Sequence, residues 1–241
     1  MGAKHRFATL ASGLLAILLA APASAAHLNK SIKIEAGATA SGASTVNGSI
    51  KVGKDAVVTG DVSTVNGTIR VYENARVEDV DTVNGSLRIG DGVRAQNLSS
   101  VNGLVQVGTD VIVDGEISVV NGKIRLESGT RVARDVSNVN GEISLEGSEV
   151  GGNIETVNGD VLLSDKALLK GDLTVKKPSG WGYSDNRRIP KIVIGPGSRV
   201  GGAIILEQKV ELFISATAEV GIVRGVMTLD DAVRFGGEWP D

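Results

Sequence analysis

The stretch Val46-Asn47-Gly48-Ser49-Ile50-Lys51-Val52-Gly53 carries the pattern on which the reading of this chain turns. Val-Asn-Gly returns with its asparagine at Asn47, Asn66, Asn84, Asn102, Asn121, Asn140 and Asn158, a nearly constant spacing. A degenerate eighth copy opens at Leu28-Asn29-Lys30-Ser31-Ile32, which sets Asn29 one further step ahead of Asn47. A fixed period marks a repeat architecture in which each copy is one structural unit stacked on its neighbours. Around the tripeptide the sequence runs roughly V-N-G-x-I-x-V-G-x-x-x-x-V-x-G-x-V-S, which spells short alternating strands with glycine at the bends. Helical repeats need about 33 residues or more. The expected fold is therefore all-β: a single-stranded parallel β-helix of about ten coils of roughly 18–19 residues. Parallel crossovers favour a right-handed winding.

In such a fold each strand bonds to its equivalent one coil away, at about 4.8 Å, so ten coils make a rod on the order of 48 Å long. Val52, Val71, Ile89, Val107, Leu126, Leu145 and Leu163 are expected to stack as one internal column, and Val62, Val80, Leu98, Ile117, Val136, Ile154 and Leu173 as a second. At roughly 1.5 to 3 kcal/mol per fully buried aliphatic side chain, such columns hold coils together without aromatic anchors. That accounts for a chain of 241 residues that is 41% hydrophobic yet only 3% aromatic. The asparagines, Asn29 included, should align along one edge. Asn-Gly favours positive φ at a bend, and stacked amides can hydrogen-bond along the axis. A ligand-binding ladder is the functional alternative for the same column.

Residues 1–25 match an export signal, with Lys4, His5 and Arg6 before the apolar stretch Ala8 to Ala21, then Pro22 and the A-x-A site Ala23-Ser24-Ala25. The stretch is shorter than the roughly 20 residues a bilayer span needs. The expected organisation is thus a signal peptide at 1–25, forming a signal helix, and one β-helix domain at 26–241. No membrane span is expected after cleavage, and the compartment would be periplasmic or secreted. The formal net charge of −3 becomes more negative without Lys4 and Arg6, which argues against nucleic acid as a partner.

The period fails over 176–190 (KKPSGWGYSDNRRIP), read as a loop insertion, and resumes at Ile192-Val193-Ile194. Trp181, Tyr183, Asp185, Asn186, Arg187 and Arg188 form a mixture suited to stacking on a sugar ring and bonding its hydroxyls. The other reading of Trp181 is packing on the flank of the rod. The segment from about 226 to 241, with Phe235 and Trp239, is expected to cap the last coil. Leu28 and Ile32 would then lie in a first coil that nothing covers, making that end a candidate for association.

Outward positions form two charge columns. Lys33, Lys51, Arg70, Arg88, Gln106, Arg125, Ser144 and Leu162 make a stripe that is basic over the N-terminal coils, and Asp61, Asp79, Asn97, Glu116, Asp135, Asn153 and Asp172 make an acidic one. Like charges in register repel, so these columns call for a counter-charge from a neighbouring copy, an anionic polymer or solvent.

An enzyme is not expected. Cys is absent, and the histidines are His5 and His27, which leaves little for a triad or a zinc site. Ile194-Gly195-Pro196-Gly197-Ser198-Arg199-Val200-Gly201-Gly202 looks like the hexapeptide repeat of left-handed β-helix acyltransferases, but their catalytic histidine has no equivalent within these coils. No cofactor or metal is expected.

The Gly-punctuated coils with V-x-G-x-V and I-x-V-G motifs resemble bactofilins, the polymer-forming β-helical scaffold proteins of bacteria, and the adhesin-like β-strand repeat domains of envelope proteins. The resemblance covers Leu28 to about Val175. It implies a nucleotide-independent rod that assembles end to end: a non-enzymatic structural or scaffold protein of the bacterial envelope, self-associating. The alternative is a module that engages envelope polysaccharide or peptidoglycan through the 176–190 loop.

Overall fold

The computed structural model describes residues 28–178 and 188–240. The signal segment at 1–25 and most of the 176–190 loop lie outside them. The described chain is a parallel β-solenoid of about ten coils, with one 3-10 turn at Leu229–Asp231 as its helical element.

Each coil visits three sheets. The first has eleven strands, from Ile32–Ile34 to Val233–Phe235, and takes the I-x-V segment of every repeat. The chain then turns into a two-residue strand of the third sheet, such as Ile112–Val113, and on to the second sheet, ten strands from Ala43–Asn47 to Val223–Gly225. The Asn-Gly corner returns it to the first. The third sheet has seven strands, and a further pair, Thr39–Ala40 with Val57–Val58, joins it through single bridges at Arg76.

Every strand pairs in register with its equivalent one coil on. Val52 faces Val71, then Ile89, Val107, Leu126, Leu145 and Leu163. Val62 faces Val80, Leu98, Ile117, Val136, Ile154 and Leu173. Both expected columns are at most 4% exposed throughout, and among the described residues no aromatic side chain belongs to the core. β-Branched and leucine side chains of similar volume repeat at each level, so the interior packs by stacking like on like.

Positive φ occurs at only one glycine of the Asn-Gly repeat, Gly141. The left-handed residues lie at the turn leaving the first sheet: Asp55, Asn74, Gly92, Asp110, Gly129 and Gly147, with φ from 54° to 77°. Glycine, asparagine and aspartate are the residue types that reach this region at least cost. A small or slender side chain follows each of them into the core: Ala56, Ala75, Val93, Val111, Thr130 and Ser148.

The glycines of Val-Asn-Gly serve close approach. A Cβ on Gly67, Gly85, Gly103, Gly122 or Gly141 would meet the carbonyl oxygen of the equivalent glycine one coil earlier, far inside van der Waals contact. Of these five only Gly141 also has positive φ, at 128°.

Candidate assembly and binding surfaces

The asparagine column forms an unbroken chain of side-chain hydrogen bonds. Each Nδ2 donates to the Oδ1 one coil earlier, from Asn47 to Asn29 at 2.7 Å through Asn66, Asn84, Asn102, Asn121 and Asn140 to Asn158, no link exceeding 3.0 Å. Behind it, inside the corner, Thr64 Oγ1 donates to Gly48 O at 3.0 Å, and Asn138 Nδ2 to Gly122 O at 2.8 Å. The corner is thus braced by an outer and an inner polar column. Past Asn158 the next corner falls between strands Leu173–Val175 and Lys191–Ile194 and carries no asparagine of the column. One coil further, Gln208 Nε2 donates to the backbone oxygens of Val157 and Lys176 and ties off the column.

The acidic stripe is not a stack of bare like charges. Asn97 donates to Asp79 at 2.8 Å, Asn153 donates to Asp135 at 3.0 Å, and the backbone N–H of Ala203 donates to Asp172 at 2.7 Å. Alternating amide and carboxylate relieves the repulsion that a purely acidic column would carry. It persists at one point, where Asp61, Asp79 and Asp81 crowd together. Burial and then the Asp79 charge push the Asp61 carboxyl above the usual range. Asp81 is only 4% exposed, and its Oδ2 has no hydrogen-bond partner. Burial foremost, with Asp79 and Asp61 adding to it, raises this carboxyl to about 6 despite a hydrogen bond from Ser99. Nothing in the repeat singled Asp81 out except that serine fills the same position in the neighbouring coils, Ser63 and Ser99.

The basic stripe follows the expected register on the first sheet. Lys33 pairs with Glu35 at 2.7 Å, Gln106 bonds Glu127 at 3.3 Å, and Arg125 approaches Glu142 at 4.0 Å. Between them Lys51, Arg70 and Arg88 have no ion-pair partner among the described residues. Arg70 and Arg88 line a groove of about 300 Å³ together with Tyr72, over whose ring the Arg70 guanidinium sits 6.0 Å from the centroid. The repeat showed the column but gave no sign of the groove, because Tyr72, Glu73 and Asp91 occupy positions that vary from coil to coil.

Of the loop residues, Trp181, Tyr183, Asp185, Asn186 and Arg187 lie outside the described residues. Arg188 forms an ion pair with Asp160, whose other oxygen accepts the backbone N–H of Lys191 at 2.9 Å. This contact anchors the segment where it rejoins the rod.

At the N-terminal end Ile32–Ile34 is the edge strand of the first sheet, and Leu28 is 70% exposed. Ile32 is half-buried against the core. At the other end Met227 and Ala232 pack on the core, while Ile222, Val226 and Trp239 are each more than half exposed. Among the described residues no helix is long and apolar enough to cross a membrane. Comparison with protein-family models, curated proteins and solved structures finds no match to this chain.

Proposed function

We propose that this protein is a non-enzymatic structural rod, exported to the bacterial cell envelope, that associates through its coil ends and scaffolds other components. The observation that carries this reading is the first described coil, where Ile32–Ile34 is the edge strand of its sheet and Leu28 is exposed. An edge strand offers unpaired backbone groups, which proteins either cover or use. The signal-like segment at 1–25 supports export. The resemblance to bactofilins and adhesin-like repeats, resting on coil length and the V-x-G-x-V motif, supports the scaffold role. A stem held by repeating columns and two polar ladders suits mechanical persistence more than turnover.

Two copies meeting through the same end would close as a two-fold dimer, so longer assemblies need a second contact, at the C-terminal end or along the flanks. Sedimentation of the mature protein across a concentration series tests the reading. Leu28→Lys and Ile32→Lys should each reduce association while the melting temperature stays nearly unchanged. A parent protein that remains monomeric at every concentration overturns it.

A further inference from the structure

The groove beside Tyr72 lies in mid-rod, on coils that end-to-end contacts leave accessible, and the scaffold role gives it nothing to do. Three features set it apart. Lys51, Arg70 and Arg88 stand in one column on successive strands, about 4.8 Å apart, without ion-pair partners among the described residues. The ring of Tyr72, half-buried, forms part of the wall, with the Arg70 guanidinium over it at 6.0 Å from the centroid. Acceptors line the same groove: Glu73, Asp91 and the Glu127 carboxylate that Gln106 bonds at 3.3 Å.

Each feature narrows the ligand. Adjacent guanidinium groups provide planar donors that fit carboxylates. An aromatic wall offers an apolar face to a sugar ring. The acidic acceptors suit hydroxyl donors and would repel a dense polyanion such as nucleic acid, which carries one charge per ≈ 1.7 Å of duplex. A second copy of the chain is a poor counter-charge, since Asn97 and Asn153 interrupt its acidic stripe and leave no run of three carboxylates on successive coils to match Lys51, Arg70 and Arg88.

We propose that this groove binds an acidic saccharide, its carboxylates on Arg70 and Arg88, its ring against Tyr72 and its hydroxyls on Glu73 and Asp91. Lys51 extends the cationic track by one coil. Binding is non-covalent and independent of the rod's ends, so its failure would leave the scaffold reading standing and the reverse.

Calorimetric titration of the full chain with tri-galacturonate, galactotriose and inorganic polyphosphate tests this. Tri-galacturonate should bind at low salt and weaken as salt rises, and galactotriose should not bind. Arg70→Gln and Arg88→Gln should each weaken binding by roughly tenfold or more, the worth of a hydrogen bond to a charged group. Tyr72→Leu should weaken it severalfold. Arg199→Gln, on the third sheet where Arg199 pairs with Glu219 at 3.5 Å, should leave it unchanged. Absence of tri-galacturonate binding at low salt overturns the proposal. So does an equal loss in the Arg199 variant, which would mark a bulk charge effect. Polyphosphate binding of equal strength that ignores Tyr72→Leu would also overturn it in favour of a phosphate site.

Discussion

Asn140 hands its side-chain amide to Asn121 across 2.7 Å, and Asn121 in turn donates to Asn102 at 3.0 Å. Each amide in the middle of the column is held from both sides, although all of them face solvent.

Asn121→Ala removes two such bonds. Such hydrogen bonds contribute about 0.5 to 1.5 kcal/mol each, so a loss of about 1 to 3 kcal/mol is expected. Asn158→Ala, at the last link, removes one and should cost about half as much. Urea denaturation of the two variants measures the difference. Equal midpoints would mean the ladder does not act as a connected column.

Gly103→Ala places a methyl group against the backbone oxygen of Gly85, where neither rung can yield without breaking register. The expected loss is about 3 kcal/mol or more, the upper range for overpacking. Gly37→Ala meets nothing within 4 Å and suffers only from its φ of 67°, a loss of about 1 to 2 kcal/mol. Thermal melts of both should rank them in that order.

Asp81 binds its proton more tightly in the folded rod than in the unfolded chain, since its carboxyl titrates at about 6 when buried. Stability therefore falls as pH rises from the ordinary carboxylate range through about 6, then levels off, by at most on the order of 3 kcal/mol. Asp81→Asn keeps an acceptor for Ser99 and cannot ionise. It should raise the melting temperature at pH 7.5 and change it little at pH 4. A gain of equal size at both pH values would sink this account.

Leu126→Ala empties a site that is 0% exposed and stacked between Val107 and Leu145. A loss of about 2 to 5 kcal/mol is expected from lost transfer energy plus the cavity left behind. Chemical denaturation followed by circular dichroism checks it.

The columns are legible in the sequence because a nearly constant period forces equivalent side chains into register. Val52 and Val71 can be paired from spacing alone, and so can Lys51 and Arg70. For the strained turn, the local rule points to the wrong corner. Asn-Gly has a local reason to adopt positive φ, but here its glycine answers to the coil below, which no local rule sees. The true left-handed column, Asp55, Asn74 and Gly92, is visible as a recurring Asp, Asn or Gly just ahead of a small residue. The inner polar column at Thr64 and Asn138 is signalled by a polar residue two places before every Val-Asn-Gly asparagine except Asn121, where Val119 interrupts it. Tyr72, Glu73 and Asp91 leave no periodic trace, because a groove is made where the repeat departs from itself.

Val161 and Ile192 are neighbouring rungs although the whole 176–190 segment lies between them in the chain, and Leu173 and Ile204 pair across it too. The phase of the coils beyond is untouched by the extra chain. Whatever hangs from the bend between Val175 and Lys191 is therefore decoupled from the winding of the stem. Whole repeat units added or removed elsewhere would alter height alone, by about 4.8 Å apiece. Payload and reach can be set separately, as on a graduated mast with one mounting bracket.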